Sequence, residues 1–349
     1  MPPPLWQSLK KTSLPVLLYG TGDGADKICG ACESFGIPVA DFFASDGFVR
    51  KRLFRGKRVL SYTEALEQYG DFVILLAFGT SLPHLLTEIR KLASQHQLYA
   101  PDLPVVNDSP TFTAEFYNHH KSDFATARQL FADQQSQQLF DDILAYKLSG
   151  RIDYLNDTIA PTQVWDRLCR SRYHVCADLG AYNGDTAREM LEFCPNVEQI
   201  IALEPDRKNF SKLEAWVEQS SIGEIVRPIN AAAWDCDTML PFAHSGNRSS
   251  RHQPSIGTVN AVSLDRLLDG KTVDYIKYDV EGAEERALLG SAKTIAIHAP
   301  DLLVAAYHRS DDLFRLPQLI NRLNSNYKLR LHRNDCLPAW DLSITATTQ

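Results

Sequence analysis

No apolar run in this 349-residue chain approaches the roughly 20 residues that cross a membrane as a helix, so no membrane span is expected. Positive charge is also scarce. Lys and Arg number 36 against 43 Asp and Glu, a net charge of −7, which argues against nucleic acid as a partner because that class of ligand needs a basic surface. The first residues, MPPPLWQSLKKTSLPVLL, lack a basic start followed by a long apolar core and a cleavage site, and cytoplasmic residence is the expectation. Cysteine is present but poorly arranged for a framework, since seven cannot all pair. Only Cys29 and Cys32 have Cys-x-x-Cys spacing, and without a second such pair a zinc site is not expected. A redox role would place that pair at a helix start, a position already taken by a glycine-rich turn. Free thiols in a reducing compartment account for the cysteines.

What remains is the composition of a globular protein, 44% hydrophobic and 23% charged, long enough for two domains. The first hundred residues alternate strand and helix signals. Val16–Tyr19 reads as a strand, followed by GTGDGA at 20–25 and a helix through Phe35. Residues 37–44 read as a second strand, 58–60 as a short one, and Ser61 as the N-cap of a helix over 62–69. The continuous apolar run 72–78 has the pattern of a strand covered on both faces.

Residues 101–110 form a proline-rich break, and 111–150 read as helical, with Leu139, Phe140, Ile143, Leu144 and Leu148 at helical spacing and Gly150 beyond the last turn. From Tyr173 the alternation resumes. Strands are expected at 174–178, 199–204, 225–230, 273–279 and 302–307, with a hairpin excursion over 237–262. Further strands are expected at 327–331 and 340–344. The expectation is an α/β protein with two doubly wound, Rossmann-like domains: residues 1–108, a helical connector at 109–170, and a second domain at 171–349.

The most informative stretch is 175–186, VCADLGAYNGDT, with Glu204 at the end of the next apolar run. A strand ends at Asp178, a turn bearing Gly180 and Gly184 follows, and a helix starts at Asp185 and Thr186. Glycines permit a tight turn and close ligand approach, and the helix start attracts an anionic group. An acid about twenty residues further on can accept both hydroxyls of a ribose. A nucleoside bearing a carboxylate fits this arrangement, and S-adenosylmethionine is such a molecule. The turn is not the G-x-G-x-x-G that seats a pyrophosphate, which tilts the choice away from a dinucleotide.

Six blocks in order carry a family resemblance. They are DLGAYNGDT (178–186), EPDRKNFSKL (204–213), NAAAW (230–234), SLDRLL (263–268), DYIKYDVEGAE (274–284) and YHRSDDLFRLPQLI (307–320) with YKLRL after it. From about Tyr173 to Ile344 the chain resembles FkbM-type S-adenosylmethionine-dependent methyltransferases. The resemblance implies a seven-stranded sheet with an antiparallel last strand and methyl transfer to oxygen, with a sugar, glycan or related hydroxylated metabolite as acceptor. By the same resemblance Asp178, Gly180, Asn183, Gly184, Asp185 and Thr186 line the methionine end of the cofactor. Glu204 takes the ribose, Asn230 and Ala231 sit by the adenine, and Asp279 faces the reacting centre.

Each position also has a plainer reading. Asp185 and Thr186 can simply cap a helix, Glu204 can be a solvated strand end, and Glu284 can be a helix-start charge favoured by the dipole. Lys277 lies two residues before Asp279 on the same sheet face, where a structural ion pair is the expectation. His308 follows the fifth strand of the sheet, where an imidazole can take a hydroxyl proton as oxygen attacks the methyl carbon. No dense ligand cluster demands a metal, although Asp279, Glu281 and a third acid have the oxygen chemistry for magnesium.

In the amino-terminal half, GTGDGA meets the dinucleotide pattern loosely, with Asp41 and Asp46 at ribose distance. That half resembles small Rossmann-like modules whose ligand is a nucleotide, a nucleotide sugar, or nothing, and a structural or homodimerisation role fits it as well. Two other functions stand beside the methyltransferase. One is an NAD- or nucleotide-sugar-binding oxidoreductase, which leaves the six blocks unexplained. The other is a non-catalytic cofactor-binding scaffold.

Overall fold

The computed structural model describes residues 1–49, 53–243 and 256–348. The chain divides into two units, one of Met1–Lys121, Gln138–Thr158 and Arg333–Asp341, the other of Ser122–Gln137, Ile159–His332 and Leu342–Gln349.

The first unit is built on strands β1 (Val16–Tyr19), β2 (Val39–Ala44), β3 (Leu53–Phe54), β4 (Lys57–Arg58), β5 (Leu60–Ser61), β6 (Val73–Leu76) and β7 (Gln97–Tyr99). Five of them form a parallel sheet in the order β5-β2-β1-β6-β7, while β3 and β4 pair as a separate antiparallel ribbon. β1 and β6 are buried at every residue, which is why both read as unbroken apolar runs rather than as alternation. The expected N-cap at Ser61 closes a full capping box with Glu64. Cys29 and Cys32 lie inside the helix Asp23–Phe35, buried and free, and burial pushes the Cys32 thiol up to about 12. A thiol so far from ionisation is a packing group, not a redox nucleophile.

The residues from 111 to 150 form three helices, Ala114–His119, Lys121–Leu130 and Gln134–Ser149. The second unit adds β8 (Val175–Leu179), β9 (Gln199–Leu203), β10 (Val226–Ile229), β11 (Ala232–Ala233), β12 (Thr238–Ala243), β13 (Ile256–Val262), β14 (Tyr275–Tyr278), β15 (Asp301–Ala305), β16 (Lys328–Arg333) and β17 (Leu342–Thr347). Seven of these form one sheet, ordered β10-β9-β8-β14-β15-β17-β16, and the last strand in the chain, β17, runs antiparallel to β15. The excursion expected over 237–262 is an antiparallel pairing of β12 with β13, and its stretch 244–255 lies outside the described residues.

The helices Asp185–Phe193 and Arg207–Gln219 lay Ala187, Met190, Leu213 and Val217 against Cys176, Ile200, Ala202 and Val226 of the sheet. Each large apolar side chain buried this way contributes about 1.5–3 kcal/mol. The strand order reverses between β8 and β14, so the connections leaving those two strands diverge and open a crevice at the carboxyl edge. No helix among the described residues is long and apolar enough to cross a membrane.

Candidate active site

The crevice is lined first by the turn after β8. Gly180 and Ala181 both donate backbone hydrogen bonds to the Leu203 carbonyl, at 3.0 and 2.9 Å, which folds the turn over the end of β9. Gly180 has φ +92°, and a Cβ there would stand 1.8 Å from the Asp279 carbonyl oxygen. The turn is therefore pressed against the end of β14, and no residue but glycine fits. Gly184, at φ +86°, is the N-cap of the helix Asp185–Phe193 and packs on Trp216 and Leu213. Asp185 is exposed in the first turn of that helix and accepts a 2.9 Å hydrogen bond from the Thr186 amide. Asn183 keeps its side-chain oxygen buried without a hydrogen-bond partner.

Glu204 is not a solvated strand end. It is 6% exposed, and its two oxygens accept 2.8 Å hydrogen bonds from the backbone amides of Tyr182 and Asp206. Burial outweighs these bonds and raises its carboxyl to about 7. Asn230, beyond β10, donates to the Glu204 and Pro205 carbonyls at 2.8 and 3.2 Å, tying the ends of β9 and β10 together with buried Ala231 beside them.

Asp178 is wholly buried, and neither carboxylate oxygen has a hydrogen-bond partner. Lys277, its register partner on β14, brings Nζ to 3.5 Å from Asp178 and to 3.5 Å from Asp279. Burial raises Asp178 to about 6 against the opposing pull of Lys277, while the two acids hold the lysine charged. The ion pair expected for Lys277 is thus shared between two carboxylates.

Asp279 in turn meets Tyr307 Oη at 3.5 Å and His308 Nε2 at 3.6 Å, both delivered by the loop after β15. His308 is 1% exposed, and Nδ1 lies 3.0 Å from Glu284 Oε1. Burial favours the neutral ring, but Glu284, then Asp279 and Glu281, outweigh it and raise the imidazole to about 9. Glu284 stands in the first turn of the helix Glu284–Leu289, where a helix-start charge was expected, and it is 1% exposed and accepts from the amides of Val280 and Gly282. Asp312, raised to about 8 by burial and by Glu284, completes an acidic pocket around the histidine. Glu284 and Asp312 were missed as site residues because local sequence makes each an ordinary first-turn acid. The signal lay in three acids crowded into 279–284 ahead of a histidine at the next strand's edge.

The amino-terminal unit offers less. Asp41 accepts from Tyr69 and Asp46 from Thr63, so both acids at ribose distance are engaged by neighbours. Asp23 and Asp26 occupy the first turn of the helix that begins within GTGDGA, where their charge opposes a pyrophosphate.

Comparison with known proteins agrees with the carboxy-terminal geometry. Residues 178–329 match the methyltransferase FkbM domain family. No curated protein matches the chain in sequence. Among solved structures, the methyltransferase FkbM from Methylobacillus flagellatus KT aligns over 98% of this chain and 92% of its own, with TM-score 0.72 and 19% identity. A precorrin-6y C5,15-methyltransferase from Geobacter metallireducens GS-15 aligns over 56% of this chain and 92% of its own, with TM-score 0.37 and 14% identity. At such identity the first similarity establishes fold, and the sequence match over 178–329 establishes the family of that region. The crevice between β8 and β14 lies within residues 178–329, the part of the second unit that matches the methyltransferase FkbM domain.

Proposed function

We propose that the chain uses S-adenosylmethionine to methylate an oxygen of a sugar, glycan or related hydroxylated small molecule. The observation that carries this reading is Glu204, a carboxylate buried at the switch point and held by the backbone of the very turn that begins at Gly180. The fit is supported by three further features: Asp178, wholly buried with Lys277 as its ion-pair partner, the unpartnered Asn183 Oδ1, and a turn that only glycine allows. The cofactor supplies a methyl group on a sulfonium.

The protein's own residues do the rest. Glu204 accepts the ribose hydroxyls with the lone pairs its amide partners leave free. Asp178, Gly180, Asn183, Gly184, Asp185 and Thr186 receive the methionine end, and Asn230 and Ala231 flank the base. Asp279, with 34% of its side chain exposed, faces the acceptor. Asp279 and His308 are the groups placed to take the acceptor's proton. Alignment of oxygen behind the methyl carbon provides much of the acceleration.

Calorimetry tests the cofactor. S-adenosylmethionine and S-adenosylhomocysteine should each bind at one site while NAD does not, and binding of NAD alone would end the proposal. Mass spectrometry of candidate glycans for the gain of one methylene then identifies the acceptor.

A further inference from the structure

We propose that Asp279, Glu284 and His308 form a site for one divalent cation of the Mn²⁺ or Mg²⁺ class at the carboxyl edge of the seven-stranded sheet. One ligand atom from each lies within 4.8 Å of the others. The three converge because Asp279 directly follows β14, the loop there turns sharply at Glu281 and Gly282 (φ +52° and +92°), and the loop after β15 delivers His308 opposite.

One atom in this cluster points to a missing partner. Glu284 Oε2 has no hydrogen-bond partner, although the residue is only 1% exposed. A simple ion pair accounts for the 3.0 Å approach of Nδ1 to Glu284 Oε1, but it leaves Oε2 desolvated with nothing to accept. Glu284 thus orients the ring through Nδ1, which leaves Nε2, facing Asp279 and Glu281, as the nitrogen for the ion.

The donors divide their labour. Asp279 turns Oδ2 to Lys277 and Oδ1 to His308, so one oxygen stays available on the histidine side. Glu281, with 79% of its side chain exposed and Oε2 3.7 Å from His308 Nε2, can swing in as a fourth ligand. Carboxylate oxygens with one imidazole suit Mn²⁺ or Mg²⁺ rather than a thiophilic metal.

The cation would also select acceptors. The exposed side of Asp279 leaves room for a molecule bringing two neighbouring oxygens, as a vicinal diol or hydroxy acid does. That selection rests on the methyltransferase reading, whereas cation binding does not.

The test is Mn²⁺ titrated into the full-length, chelator-treated protein and read by electron paramagnetic resonance. One Mn²⁺ per chain should bind, Mg²⁺ should displace it, and pulsed spectra should show coupling to an imidazole nitrogen. Glu284→Gln and Asp279→Asn should each weaken binding by about tenfold or more. If the buried Glu284 variant fails to fold, the nitrogen coupling in the parent protein decides alone. No Mn²⁺ binding at millimolar concentration, no nitrogen coupling, or equal binding in both folded variants overturns the site. Mn²⁺ binding without S-adenosylhomocysteine binding would leave the cation site standing and remove the methyl-donor reading.

Discussion

A carboxylate that accepts two backbone N–H bonds is ordinarily a stronger acid than usual, yet burial wins at Glu204 and raises it from 4.5 to about 7. The native state therefore holds this proton more tightly than the unfolded chain. The resulting stability is fully present below pH 4.5 and is lost as pH rises to about 7. Cofactor affinity follows the opposite course, because ribose hydroxyls donate to the ionised form. S-adenosylhomocysteine should bind more tightly as pH rises, by up to about tenfold per unit below pH 7, and level off above it. Titration calorimetry between pH 5.5 and 8.5 checks this, and Glu204→Gln should bind weakly with no such slope. A parent protein with a flat profile would mean that Glu204 does not meet the ribose. Asp178, Gly180 and Glu204 are legible in sequence because each stands at a fixed place relative to an apolar run and a glycine turn. Glu284 is not, because its neighbours Glu285 and Arg286 give it the look of a solvated first turn. The Val280 and Gly282 amides and the distant His308 hold it inward.

Among the elements, the helix Arg207–Gln219 follows directly from the site, and its start is tied to Glu204. Asp206 caps that helix, accepting from the Lys208 and Asn209 amides at 3.0 Å, while its own amide donates to Glu204. Asp206→Ala removes the cap but keeps the amide. The expected cost is about 1 kcal/mol of stability, read as a lowered melting temperature, with S-adenosylhomocysteine affinity changed far less. A large loss of affinity with unchanged melting would show that the Asp206 carboxylate itself contacts ligand. Central strands such as β1 and β6 were readable because burial on both faces leaves an uninterrupted apolar run. The final strand was expected over 340–344 but runs Leu342–Thr347. Asp341, at φ +58°, cannot extend, and Trp340 packs against Gly79, where no side chain has room. β7, three residues after the helix Pro83–Gln95, is too short to show any period of its own.

At the scale of the whole molecule, each unit has its own sheet and its own apolar cluster, one around Leu18, Ile28 and Val73, the other around Cys176, Ile200 and Leu213. Both sheets were readable as α/β from the alternation of runs and helices. The insertion of β17 between β15 and β16 was not, since strand order depends on contacts that no local pattern records. Two units with separate cores can unfold in separate steps, so a ligand's effect on melting reports which unit it occupies. S-adenosylhomocysteine at a hundred times its dissociation constant adds about 2.7 kcal/mol to the unit that binds it. For a domain of this size that is a rise of about 5–10 °C. Scanning calorimetry should show that rise in one transition, the one that Glu204→Gln no longer shifts, and NAD should move neither. If NAD instead raised the other transition, the GTGDGA turn would hold a dinucleotide despite Asp23 and Asp26, and the amino-terminal unit would have a ligand of its own.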